Sequence, residues 1–233
     1  MPLTLPIREV LVATPRARIV RLEIGDHPFE YAAGQAVLVG NHGQPKRRPY
    51  SIAGAPEDTR RDRWIELLVG VDENGASKDH LTLSAGAALD VDGPLGTFTF
   101  PEDPEERRFL FIAGGTGIAP LRAMLRHALA IPHRDVGLLY SARTPDEFAY
   151  EEELRALAHE GRIEFRQTVT RADDDATWTG TRGRIGRADL EPLVHAPATL
   201  CFICGPPPLV AGMLNLLREL GVERRRIRVE EWG

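Results

Sequence analysis

The sequence predicts two domains in series, an antiparallel β-barrel over residues 1–104 and then an α/β domain built on a parallel sheet over residues 105–233. Three observations predict it. The first hundred residues are short apolar or alternating runs separated by turn residues, the pattern of a closed or sandwiched antiparallel sheet. A charged, Pro-containing stretch, Pro101–Arg108 (PEDPEERR), then breaks that pattern. Beyond it, apolar runs alternate with segments of helical period, which builds a parallel sheet covered on both faces.

In chain order, Arg18–Ile24 alternates, Ala36–Val39 is apolar, Trp64–Val71 is a long apolar-rich run and Gly93–Phe100 is punctuated by Gly and Pro, so each reads as a strand. Lys78–Leu83 is the one stretch of the first half with helical period. In the second half Phe109–Ala113 is an apolar strand. Leu121, Met124, Leu125, Ala128 and Leu129 follow at helical spacing, and Pro132 ends that helix. Val136–Tyr140 (strand), Tyr150–His159 (helix), Ile163–Val169 (strand), Thr199–Cys204 (strand) and Pro208–Leu220 (helix) complete the alternation.

Composition narrows the function classes. The chain has 233 residues, 42% of them apolar, which suits two compact domains. No apolar run approaches the roughly 18–20 residues of a membrane span. The opening MPLTLPIREV lacks the basic-then-apolar order of an export signal, so a cytoplasmic protein is expected. A net charge of -5 argues against general nucleic-acid binding, which needs excess positive charge. Two cysteines, Cys201 and Cys204, can form neither a disulfide scaffold nor a four-thiolate cluster. Their CxxC spacing on a strand turns them to opposite faces, and no second pair completes a zinc site, so no metal is expected. Redox chemistry, if present, must use an organic cofactor or a partner's metal.

Four segments carry chemistry. Gly114-Gly115-Thr116-Gly117-Ile118-Ala119-Pro120 lies between an apolar strand and an amphipathic helix. Its glycines let the backbone turn sharply and approach a ligand, Pro120 suits the first helical turn, and the helix N-terminus offers N–H groups to a phosphate. At the end of the next strand, Ser141 and Arg143 could hold a nucleotide 2′-phosphate, with Arg171 at the end of the third strand as a second contact. Asp146 and Glu147 nearby leave an unphosphorylated ribose open. Cys204-Gly205-Pro206 ends a strand at the sheet edge where ligands of open α/β sheets bind. In the first half, Arg48-Pro49-Tyr50-Ser51 offers a guanidinium for a phosphate, a ring for stacking a planar heterocycle and a hydroxyl beside it.

Together these segments resemble the ferredoxin–NADP reductase family of flavoproteins over nearly the whole chain and in the family's order. The flavin motif RxYS matches Arg48, Tyr50 and Ser51, and GP-x-G-x-F matches Gly93-Pro94-Leu95-Gly96-Thr97-Phe98. The phosphate loop matches GGTGIAP, the CGPPP element matches Cys204 to Pro208, and the ending matches Glu230 and Trp232. The resemblance implies an FAD-binding barrel, an NAD(P)-binding α/β domain, and hydride transfer from NADPH or NADH to the flavin. It places Arg48 on the FAD phosphate, Tyr50 on the isoalloxazine and Ser51 near its N5. It puts Cys204 and Glu230 beside the nicotinamide, and Trp232 over the flavin until the nicotinamide displaces it.

The chain departs from the family pattern at three places. Gly54 stands three positions after Ser51, where a Ser or Thr is usual. The second flavin-phosphate element, beginning Gly75-Ala76-Ser77, has one residue more than the usual Ser-x-x-Leu, and the chain runs one residue past Trp232. The resemblance further implies that electrons pass singly to a separate carrier, a ferredoxin, a flavodoxin or an oxygenase component. Lys46-Arg47-Arg48 and Arg60-Arg61-Asp62-Arg63 are candidates to steer an acidic carrier. A non-catalytic electron-transfer subunit is the alternative from another class.

Overall fold

A computed structural model of the chain describes residues 2–78, 80–171, 178–195 and 198–232. Asp79 and Gly233, which fall within two of the departures above, lie outside the described residues.

Six strands, β1 (Leu3–Thr14), β2 (Ala17–Glu23), β3 (Ala36–Asn41), β4 (Arg48–Ser51), β5 (Trp64–Gly70) and β6 (Ala88–Leu95), form an antiparallel sheet of order β4-β3-β6-β1-β2-β5. The sheet curls until its two edges meet at one bridge, Ile52 with Leu67, and a bond from Ala53 N to Glu66 O of 2.7 Å. It is barrel-like rather than closed by a continuous ladder. Leu5, Ile7, Val20, Leu22, Val37, Val39, Ile65 and Leu67 fill its interior, alternating along their strands as period-two geometry requires.

Three features of this half differ from the expectation. The described residues of Lys78–Leu83 form no helix. Instead a short helix, α1 (Pro56–Asp62), follows β4, started by a proline in its first turn and by Asp58 Oδ2 accepting from Ala55 N at 3.3 Å. Seven residues are too few for a periodic signal. Strand β1 went unread because register shifts between Ile7 and Glu9 and between Val12 and Thr14 break its alternation. The strand expected over Gly93–Phe100 lies earlier, over Ala88–Leu95.

The second sheet is parallel, in the order β10-β9-β8-β7-β11-β12. Its strands are β7 (Arg108–Gly114), β8 (Asp135–Ala142), β9 (Glu164–Val169), β10 (Thr181–Arg182), β11 (Thr199–Gly205) and β12 (Ile227–Glu231). The helices are α2 (Ile118–Ala128), α3 (Glu151–His159), the four-residue α4 (Arg187–Leu190) and α5 (Pro207–Glu219). Sheet alternation separates two cores. Phe109, Phe111, Phe202 and Cys204 pack with α2 and α3, while Leu110, Ile112, Cys201 and Ile203 pack with α5. The two cysteines therefore face opposite ways.

The first of these cores also joins the halves. Phe100, from the segment after β6, stacks on Phe202 with ring centres 5.3 Å apart, and Phe202 stacks on Phe111 at 5.3 Å. Arg228 of β12 donates to Thr99 O at 2.6 Å. No helix among the described residues is long and apolar enough to cross a membrane.

Candidate active site

The carboxyl ends of β7, β8 and β11 face strand β4 across a cavity of about 1100 Å³. Single-ligand pockets commonly measure about 300–1,000 Å³, so this one has room for more than one ring system. From the barrel side Arg48, Pro49, Tyr50, Ser51 and Lys78 line it. From the other side Gly114, Gly115, Thr116, Gly117, Pro120, Ser141, Arg143, Cys204, Pro206, Glu230 and Trp232 do. Residues scattered over most of the chain thus meet at one place, because β4 ends where the parallel sheet presents its carboxyl edge.

The loop 114–117 has a specific build. Gly115 has φ +55°, the left-handed region in which a side chain is strained. At Gly117 a Cβ would stand 2.3 Å from Cys204 O, so only glycine lets the loop lie on the end of β11. Helix α2 begins immediately after it, so the positive end of the helix dipole, with Ala119 and Pro120 on the wall, faces the cavity. Tyr140, fully buried on β8, donates to Gly115 O at 3.0 Å and accepts from Ala149 N at 3.3 Å. It pins the loop's Gly115 carbonyl to β8. Sequence reading missed Tyr140 because a Tyr within an apolar strand looks like core.

Parallel pairing of β11 with β12 sets Cys204 directly beside Glu230. Cys204 Sγ donates to Glu230 Oε2 at 3.8 Å. Burial pushes the thiol far above its ordinary value, and the neighbouring carboxylate adds to the effect. Burial also raises Glu230, with the Cys204 hydrogen bond opposing. The pair is a neutral thiol against a partly desolvated carboxyl, suited to ordering a ring rather than to nucleophilic attack, which needs a thiolate. Trp232 is 39% exposed and its ring lies on the phosphate loop. A Cβ on Gly115 would be 3.6 Å from Trp232 Cζ2, and one on Gly117 would be 2.9 Å from Nε1.

Other expected residues stand off the cavity wall. Arg171 is exposed, but its N–H donates to Arg143 O at 2.7 Å, so the two arginines flank adjacent strand ends. Gly205 lies behind the wall against Gly114 and accepts from Trp232 N at 3.3 Å. Gly75, Ala76 and Ser77 form a turn organised by Asp72, whose Oδ1 accepts from Asn74 N and Ala76 N at 2.9 Å each. That turn reaches the cavity through its neighbour Lys78. Thr14, Arg16 and Arg184 line the cavity unforeseen, as does an apolar lobe made by Ile185, Leu209, Met213 and Leu216. The lobe's α5 residues, Leu209, Met213 and Leu216, read simply as the inner face of a helix.

The basic clusters proposed to steer a partner are met by acids or carbonyls. Arg60 pairs with Glu30, Arg61 with Asp58 and Asp62, and Arg47 with Asp90, while Arg63 donates to Gly25 O. Part of their charge is therefore paired within the fold.

The donor set fits a flavin and a dinucleotide. A Tyr ring and a Ser hydroxyl flank a wide cavity, the cations Arg48 and Lys78 stand on one wall, and a glycine loop at a helix N-terminus stands on the other. Comparison with known proteins agrees. Residues 111–214 match the oxidoreductase NAD-binding domain family. The chain is 36% identical to ferredoxin–NADP reductase B of Sorangium cellulosum (strain So ce56), over 94% of this chain and 93% of that one. In structure it is similar to the Amycolatopsis cytochrome P450 reductase GcoB, with TM-score 0.85, 28% identity, and 99% of this chain and 69% of that one covered. It is also similar to the ferredoxin reductase of carbazole 1,9a-dioxygenase, with TM-score 0.84, 26% identity, and 100% and 70% covered.

Proposed function

We propose that this chain, which belongs to the ferredoxin–NADP reductase family, holds FAD and a nicotinamide nucleotide face to face in its cleft and serves a separate one-electron carrier. The observation that carries this reading is the meeting of Arg48–Ser51, the phosphate loop and the Cys204–Glu230 pair around one cavity. FAD, when bound, supplies the hydride and single-electron chemistry, and the protein's task is orientation and exclusion of water.

The roles follow from position. Arg48 grips the FAD phosphate, with Lys78 and the turn Gly75-Ala76-Ser77 continuing the phosphate path. Tyr50 offers its face to the isoalloxazine, and Ser51 donates toward the ring edge. On the opposite wall Gly115, Thr116, Gly117 and Pro120 seat the nucleotide pyrophosphate. Gly114, Gly205 and Pro206 provide the close backbone contact that brings this loop to β11. Cys204 and Glu230 border the nicotinamide, and Trp232 occupies that space until the nucleotide arrives. The apolar lobe by α5 suits an adenine ring.

Ser141, Arg143 and Arg171, joined by Arg184, favour a donor with a 2′-phosphate, hence NADPH over NADH. The chain divides near residue 104 into the FAD half and the nucleotide half. A ferredoxin or flavodoxin suits the single-electron step. A role as the reductase component of an oxygenase shares all of this chemistry and differs only in the partner, a reading favoured by the likeness to two oxygenase-associated reductases.

The test is spectroscopic. Purified with FAD, the protein should be yellow and bleach anaerobically on addition of NADPH, more slowly with NADH. A chain that takes up no FAD fails the reading, and equal rates with both donors remove the preference.

A further inference from the structure

Just outside the cavity lining, the two halves meet through charges that the proposed chemistry does not use. Arg122, on the phosphate-loop helix α2, is only 8% exposed. Its Nη1 donates to Ala53 O and to Glu66 Oε1, both at 2.8 Å. Its Nε donates to Glu153 Oε2 at 2.8 Å, Nη2 lies 2.7 Å from the same oxygen, and its plane lies 4.2 Å from the Tyr150 ring centre. Glu66, only 4% exposed, turns its other oxygen to Arg21 at 2.7 Å. One planar guanidinium therefore holds the chain just past β4, a carboxylate of β5 and a carboxylate of α3. Each contact has a fixed direction, which an ammonium could not reproduce.

The position of this clamp matters. Ala53 is two residues beyond Ser51, about 7 Å along an extended chain. Arg122 is five residues beyond Gly117, about 7.5 Å along a helix. Ser51 at the flavin edge and Gly117 in the pyrophosphate loop thus each lie roughly 7 Å along the chain from one buried joint. A shift of the joint passes almost undiminished to both.

We infer that Arg122 is a positioning residue for hydride transfer, setting the separation of the flavin-holding strand from the nucleotide-holding loop. Reacting atoms must stand about 3–3.5 Å apart, and a displacement of about 1 Å costs on the order of 10²-fold in rate. The inference rests on the reading of the cleft given above.

The test compares Arg122→Met and Arg122→Lys with the parent protein, each loaded with FAD. Anaerobic stopped-flow reduction by NADPH should show FAD affinity and donor Kd within about threefold of the parent. The limiting reduction rate should fall by about 10²-fold in Arg122→Met and about 10-fold in Arg122→Lys, the scale of a displacement near 1 Å. In the FAD-free proteins, hydrogen exchange of segments 51–55 and 115–119 should quicken together in both variants. A purely structural residue would lower the melting temperature and leave the limiting rate of the folded protein unchanged. A limiting rate within threefold of the parent in any folded variant overturns the inference, as does quickened exchange in only one segment. If Arg122→Met does not fold, Arg122→Lys decides. Failure of the parent itself to be reduced by NADPH would sink the functional reading alone, and the paired exchange would still judge the joint.

Discussion

Beside the aromatic junction of Phe100 with Phe202, the two halves of this molecule face each other along two seams of opposite character. On one, α1, β5, α2 and α3 close on each other through buried charge. Arg122 binds Ala53 O, Glu66 and Glu153, Arg126 binds Asp58 through two bonds and Glu153 through a third, and His127 meets Glu57 at 2.9 Å. On the other, the barrel and the parallel sheet stand apart around the cavity. The ion pair across that side, Arg16 with Glu147 at 3.5 Å, has an arginine that is 53% exposed. One seam fixes geometry and the other admits ligands. A cleft enzyme needs both, because an opening is useful only if its walls keep their spacing.

Breaking each seam should cost very different amounts. The largest effect is expected from Glu66→Ala, which leaves Arg122 and Arg21 without a shared carboxylate in a buried site. Removing one partner of such a group typically costs about 3–5 kcal/mol. Chemical denaturation should show that loss, and a change below about 1 kcal/mol would mean that water or neighbours compensate. Next comes Trp232→Ala on the open seam. Its ring lies on the loop that is to receive the nucleotide, so its removal should tighten donor binding by on the order of tenfold, or about 1.4 kcal/mol. Weaker binding by titration would show that the ring assists the nucleotide rather than competing with it. The smallest effect is expected from Arg16→Ala, an exposed pair worth about 0–1 kcal/mol. A larger loss would mean that the open seam is also structural.

How far the sequence reveals all this depends on the range of the interactions. The α/β half was legible nearly element by element, because each strand and helix announces itself through local periodicity. The exceptions are β12, only five residues long, and the short α4 and β10. In the barrel half, β1 escaped notice because its bulges interrupt the alternation, and α1 because one proline and one capping carboxylate define it. At the site, Arg48, Tyr50, the glycine loop and Cys204 stand out as runs of chemically suggestive neighbours. Arg122, Glu66, Arg184 and Tyr140 do not. Arg122 is one arginine in an amphipathic helix whose partners lie 56 and 69 positions away, a juxtaposition that only the packed chain creates. The basic runs around residues 46–48 and 60–63 show the same limit, since Glu30 and Asp90, which pair with Arg60 and Arg47, come from elsewhere in the fold.

The opposed cysteines of β11 have a practical consequence. Cys201 is 0% exposed and Cys204 1%, one sealed under α5 and the other turned to the α2 side. The chain has no other thiol. Burial raises Cys201 to about 12, and Cys204 too lies well above the ordinary thiol range, so both are held as slow-reacting neutral thiols. An alkylating reagent would therefore act as a pair of clocks on a single strand. Cys201 would record how often the α5 layer lifts from the sheet, and Cys204, on the cavity wall, how readily the reagent enters the cleft, in the native protein and without any introduced label.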